Sequence, residues 1–213
     1  MKEKEIMKKL KESAKLYKEN LQNKNLLIMY EKDNKIEYIE ILFLIRNFMH
    51  LTGVRSTEIK KANQFYQACL TNKLNIKTLK MKEDGTTQLK MDIISNMIKM
   101  EEPWKIIGVY NGAKEKLKTD ILLGKGDICL GVIKEVSNYY IPNTLLKEDI
   151  RKITKENNVI VGIFKKEKQE EIYQKVTNIN KNIEIEKIGK NEKLASKLKI
   201  EIINDKKNSQ TKK

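Results

Sequence analysis

The 213-residue chain holds one histidine, three arginines, two cysteines, two prolines and one tryptophan, and aromatic residues make up only 6% of it. Each scarcity excludes something. With His50 alone, no site can be built on two or more imidazole ligands. Cys69 and Cys129 cannot form a metal cluster by themselves, and they read as reduced core residues of a cytoplasmic protein. No run approaches the roughly 20 apolar residues that cross a membrane, so no membrane partner is expected. Met1-Lys2-Glu3-Lys4-Glu5 alternates charge where a secretory signal would be apolar. There is no Gly-x-x-x-x-Gly-Lys-Ser/Thr loop and no dinucleotide fingerprint. Glu37, Asp120 and Asp127 are scattered rather than clustered, so neither a metal nor another cofactor is called for.

Lysine is what the chain has in excess. There are 44 basic residues against 29 acidic ones, a net charge of +15, yet the only arginines are Arg46, Arg55 and Arg151. Abundant isoleucine and asparagine accompany the lysines, as in proteins from A- and T-rich coding. The excess still creates a positive field that draws polyanions such as nucleic acid. Residues 165–213 carry 14 lysines against 8 acidic residues, so +9 of the charge and all three arginines fall in residues 1–164.

Apolar residues at Ile6, Leu10, Ala14, Tyr17 and Leu21 predict an amphipathic helix over residues 2–22. The runs Leu26 to Tyr30 and Ile36 to Phe48, parted by Asp33-Asn34, predict a β-hairpin. Ser56 or Thr57 can cap a helix carrying Ile59, Ala62, Tyr66 and Cys69. Thr86 or Thr87 can cap another, striped by Leu89, Ile93, Met97 and Met100 and ended by Pro103. Beyond it, Lys105 to Tyr110, Leu117 to Leu123, Asp127 to Glu135 and Val159 to Phe164 read as strands. Turn signals at Asn111-Gly112, Gly124-Lys125-Gly126 and Ser137-Asn138 separate them, and a short helix is expected at Leu145 to Lys155. The expected fold is therefore α+β, N-terminal helices followed by a mainly antiparallel β-sheet. The motif-bearing domain is expected to span residues 1–166. Residues 167–213 then form a Lys/Glu-rich extension with weak strands at Ile183 to Ile188 and Leu198 to Ile203. Its basic tail, Lys206 to Lys213, is expected to be disordered.

His50 titrates near neutrality and sits beside Thr52, Arg55 and Ser56, a compact set of one proton carrier, hydroxyls and a cation. The plainer alternative is a structural histidine at the end of a strand. Gly124-Lys125-Gly126 is better read as a hairpin turn than as a phosphate cradle, since strands flank it.

Three motifs carry a resemblance. The run Asn47-Phe48-Met49-His50-Leu51-Thr52-Gly53, the helix bearing Ala62-Asn63-Gln64-Phe65-Tyr66, and the element Tyr140-Ile141-Pro142-Asn143-Thr144-Leu145-Leu146 resemble the fourth type of phage barnase–EndoU–colicin–RelE-like nuclease domains, over roughly residues 10–166. The resemblance implies helices followed by an antiparallel sheet, and a small metal-independent ribonuclease, or a derivative of one, of phages and other mobile elements. In such chemistry a base takes the 2′-hydroxyl proton, the oxygen attacks the adjacent phosphorus, cations stabilise the phosphorane, and an acid protonates the leaving 5′-oxygen. His50 is then the candidate proton carrier, with Arg55 and Thr52 beside it. Lys125, Tyr140, Thr144 and Arg151 are candidate substrate contacts. The plainer roles are turn capping for Thr52 and Thr144, core packing for Tyr140, and surface ion pairs for Arg46 and Arg151. A second histidine is missing, so one group would have to serve both proton transfers, or a lysine or tyrosine would share them. The implied partner is nucleic acid, RNA rather than DNA, and a protein inhibitor or host target is also open. The alternative is a catalytically silent basic module that binds nucleic acid or protein as a phage-encoded effector.

Overall fold

The stripe Ile6, Leu10, Ala14, Tyr17 forms one buried face of helix α1 (Glu3–Asn20). The computed structural model describes residues 3–100, 103–135, 138–180, 183–199 and 201–204. Met1, Lys2, Ser137 and the tail Lys206 to Lys213, each part of an expectation above, lie outside these residues. Strands β1 (Lys24–Lys32) and β2 (Lys35–Phe43) form the expected hairpin. Asp33 and Asn34 both take positive φ at its two-residue turn, which suits the right-handed twist of the strands. Four small elements and a longer helix follow: α2 (Asn47–Thr52), β3 (Arg55–Ser56), α3 (Ala62–Leu70), β4 (Leu79–Lys80) and α4 (Thr86–Lys99). The chain then runs through β5 (Ile106–Tyr110), β6 (Ile121–Lys125), β7 (Ile128–Lys134), β8 (Tyr140–Lys147), α5 (Ile150–Ile153) and the long β9 (Thr154–Glu167). It continues through β10 (Lys175–Ile179), α6 (Ile185–Gly189) and α7 (Glu192–Ala195). The fold is α+β with a mainly antiparallel sheet.

The sheet order is β1-β2-β8-β7-β6-β5-β9-β10, and β9 also pairs with β1, so seven strands close on themselves. The joint between β2 and β8 is a single parallel bridge, Ile41 to Tyr140. The small β3–β4 pair stands apart as a second sheet. The main core lies between the sheet and helices α1 to α4. Strand β1 is buried on both faces, as its unbroken apolar run requires. Leu26 and Ile28 face this core, while Leu27 and Met29 face a second one behind the sheet.

That second core explains the C-terminal segment. Tyr173, Ile179, Ile183, Ile188, Leu194 and Leu198 pack against Leu27, Met29, Val161 and Phe164. A polar clip reinforces the cover. The Tyr173 hydroxyl donates to the buried Glu40 carboxylate at 2.8 Å, and the Lys197 ammonium meets the same carboxylate at 2.8 Å.

Several local expectations are corrected. The second hairpin strand ends at Phe43 rather than Phe48, because the Asn47 side chain accepts from the Leu44 N–H at 2.8 Å and turns the chain into α2. Ser56 lies in β3, and its hydroxyl accepts from the N–H groups of Glu58 and Ile59, so α3 starts later, at Ala62. In helix α4 Ile93 and Met97 are buried as expected and Met100 packs against the main core, but Leu89 is 42% exposed and the buried face is widened by Thr87, Met91, Ile94 and Ile98. Strand β6 starts at Ile121 rather than Leu117. The helix expected at Leu145 to Lys155 is only Ile150–Ile153, capped by Asp149. Leu145 and Leu146 instead alternate along β8 against β7, burial and pairing overriding propensity. Ile183 to Ile188 and the described residues of Leu198 to Ile203, which leave out Ile200, are not strands. Ile185–Gly189 and residues 201–204 are helical, and Leu198 makes one bridge to Tyr173.

Because Ile188 is fully buried in the rear core, Ile188→Ala is expected to lower unfolding free energy by about 2–5 kcal/mol in urea denaturation. A cost below 0.5 kcal/mol would mean that the C-terminal cover is not part of the cooperative fold.

Candidate nucleic-acid cleft

The three motifs meet around one buried hinge. Phe48 of the first stacks obliquely on Tyr66 of the second, with ring centroids 5.1 Å apart, and both touch Tyr17 of α1 edge-on, at 5.5 and 5.7 Å. The Asn47 amide donates to the Pro142 carbonyl of the third at 3.0 Å. Helix α2 is thereby fixed against β8, and His50, three residues after Asn47, is presented to solvent on its outer side. Gly53 closes the helix with φ +69°, its N–H donating to the Met49 carbonyl at 3.2 Å.

Past this turn opens a cleft of about 610 Å³ between α2, the β3–β4 pair, α4, the β5–β6 connection and β8. Among the described residues its lining carries His50, Arg55, Lys60, Lys80, Lys82, Lys90, Lys116 and Lys118, with the hydroxyls of Ser56, Thr57 and Thr144 and the amide of Asn143, and no carboxylate. Arg55 and Lys80 stand directly opposite each other in the β3–β4 register, a like-charge pairing that is destabilising unless an anion lies between them. Concentrated positive charge in a concave site attracts polyphosphate and raises its local concentration.

Lys90 is the unusual cation of the group. Its stem packs over Gly53, whose missing Cβ would stand 3.0 Å from Lys90 Cδ. Its ammonium donates to the Thr144 hydroxyl at 3.0 Å and to the His50 carbonyl at 3.3 Å, and among the described residues it forms no ion pair. Burial, with the Lys82 ammonium as a second cause, lowers its pKa to about 8 against the opposing pull of Asp84. His50 is likewise lowered from 6.5, by burial first and then by Lys90 and Arg55, so its neutral form prevails at pH 7.

Of the residues singled out in the sequence, His50, Arg55 and Thr144 line the cleft together. Thr52 is fully buried behind it; its hydroxyl donates to the Met49 carbonyl at 2.9 Å and accepts from the Val54 N–H at 3.1 Å. Tyr140 opens β8 half-buried against the main core. Lys125 ends β6 at the hairpin turn, and Arg151 forms a two-point ion pair with Asp149 at 2.9 and 3.1 Å. None of these last three lines the cleft. Arg46 is paired with Glu135, and Trp104, Cys69 and Cys129 are buried. Lys80, Lys82, Lys90, Lys116, Lys118 and Asn143 line the cleft and were not distinguished in the sequence. The one signal for Lys90 is its place three residues after Thr87 and four before Ile94, on the buried face of α4.

No helix among the described residues is long and apolar enough to cross a membrane, and no group of three or more His, Cys, Asp or Glu comes together among them. Gly53→Ala is expected to lower stability by about 1–2 kcal/mol in chemical denaturation, because a Cβ is unfavourable in the left-handed region and would also press on the Lys90 stem. An unchanged unfolding midpoint would show that the turn relaxes freely.

No curated protein and no solved structure matches the chain. A family model does, over residues 9–182, a stretch that takes in α1 from Lys9 onward, strands β1 to β10 and the cleft-lining residues named above. The chain thus belongs to the phage-Barnase-EndoU-ColicinE5/D-RelE like nuclease4 family.

Proposed function

We propose that the cleft binds RNA and cleaves it as a metal-independent endoribonuclease, with His50 in proton transfer. The observation that carries this is the lining itself: a solvent-facing histidine among seven cations, with hydroxyls and no carboxylate. Magnesium-dependent phosphodiester cleavage calls for carboxylate oxygens to hold the ion, and this lining offers none. It offers instead what an internal nucleophile needs: a base for the 2′-hydroxyl, and fixed positive charge where the phosphorane develops. RNA is favoured over DNA because it brings that hydroxyl with it. His50, neutral at pH 7, takes the proton, and Arg55, Lys80 and their neighbours hold the phosphate, giving a 2′,3′-cyclic phosphate and a 5′-hydroxyl.

The test is incubation of the purified protein with total RNA, with and without EDTA, beside His50→Ala. Cleavage is expected to persist in EDTA and to fall by about 10²–10⁴-fold in the variant, the usual worth of a positioned proton carrier. Because His50 is lowered from 6.5, the acid limb of kcat/KM should have its midpoint below that value. Salt-sensitive RNA binding with no turnover in any RNA pool would favour a silent binding module.

A further inference from the structure

Resting on the ribonuclease reading above, we propose that Lys90 is the second proton carrier of the cleft, the acid that protonates the leaving 5′-oxygen while His50 acts as base.

The position of Lys90 is the first support. It lines the main cleft and also an adjoining cavity of about 290 Å³, which shares Lys82, Lys116, Leu117 and Thr144 with it. Lys90 thus stands at the boundary that the two cavities share. Its bonding is the second. An ammonium has three N–H donors; two are committed, to Thr144 Oγ1 and the His50 carbonyl, which fix the group and leave one for a substrate oxygen. The same bond to the His50 carbonyl ties Lys90 to the helix that carries the proposed base.

The protonation states fit the division of labour. At pH 7 His50 is neutral and able to accept, while Lys90, lowered to about 8, is largely charged and able to give up its proton. The titratable and charged groups that line the two cavities with Lys90 are His50 on α2, Arg55 on β3, Lys60 before α3, Lys80 on β4, Lys82 and Asp84 before α4, Lys114, Lys116 and Lys118 on the β5–β6 connection, and Lys147 and Glu148 at the end of β8. In the step, His50 takes the 2′-hydroxyl proton, the 2′-oxygen–phosphorus bond forms, and the phosphorus–5′-oxygen bond breaks. The 5′-oxygen takes the proton from Lys90. Both side chains then recover their starting states by exchange with water.

The experiment is the pH profile of kcat/KM on an RNA oligonucleotide for the wild type, Lys90→Arg and Lys90→Gln. The wild type is expected to lose activity above about pH 8. Arginine keeps the charge but does not release its proton, so Lys90→Arg should lose that alkaline limb and about 10²–10⁴-fold in rate. It should still bind a 2′-O-methyl oligonucleotide within a few-fold of the wild type. Retention of the alkaline limb in Lys90→Arg, with less than a tenfold loss, overturns the proposal and leaves the ribonuclease reading standing. A wild type that cleaves no RNA at any pH overturns both. A readout free of turnover is the NMR titration of ¹³C-methylated lysines. One resonance, absent from Lys90→Arg or Lys90→Gln, should titrate near 8, and its midpoint near 10.5 would overturn the assignment.

Discussion

The Asn47 amide holds together two segments that pair almost nowhere else. Strands β2 and β8 share a single bridge, Ile41 to Tyr140, so the ring of strands is weakest there. The Asn47 side chain spans that joint, accepting from the Leu44 N–H and donating to the Pro142 carbonyl. Removing that amide would take a hydrogen-bond partner from both backbone groups, a costly change where water is excluded. The neighbouring ring of Phe48 locks into Tyr17 and Tyr66, and the Tyr17 hydroxyl bonds the Leu44 carbonyl at 2.8 Å. Strand end, short helix and returning strand are thus held by three polar and two aromatic contacts. Everything that lines the cleft from α2 and β8, His50 and Thr144 included, takes its place from this joint.

The cleft opposes the economy of folding. Gathering eight basic side chains without an acidic one is repulsive, and elsewhere on the surface the chain pairs its lysines freely, as Lys9 with Asp92 and Lys32 with Glu156. Such surface pairs are worth little each, but their absence from one concavity concentrates the field there. The net charge of +15 is therefore a poor guide by itself. Its distribution within residues 49–144 carries the information, whereas the lysines of the C-terminal segment serve other ends. Lys197 neutralises Glu40, and Lys166 lies over the Tyr173 ring at 4.7 Å, both fastening the rear cover to the sheet.

The fold class was legible because the patterns behind it are long. The α1 stripe and the unbroken run of β1 leave no other assignment. The short elements were not legible, since tertiary pairing decides them. Leu145 and Leu146 look helical beside Ile150 until β7 claims them, and Ile183-Glu184-Ile185-Glu186 alternates like a strand although Ile188 sets a helical spacing. In the site, His50 and Arg55 stood out by rarity and Thr144 by its motif. Lys90 did not, because it is one lysine among dozens and its meaning depends on helix phase. A stripe drawn through Leu89 turns Lys90 toward solvent, while the observed stripe through Thr87 and Ile94 brings it against Gly53. Rarity also pointed to Arg151, which is engaged by the carboxylate that caps α5.

The scarcity of arginine has a chemical consequence. A guanidinium grips phosphate with a planar fork, but it stays charged wherever it is placed. An ammonium is the weaker clamp, yet burial moves its pKa toward neutrality, and in this cleft burial does so at Lys90. Shielded by Gly53, Thr144 and the His50 carbonyl, this lysine becomes a group that can change its charge near working pH. In a cleft lined by six lysines and one arginine, burial thereby sets one lysine apart from its neighbours, as the proposed division between phosphate binding and proton transfer requires. The packing of α2 on β8, rather than the identity of the basic residue, draws that line.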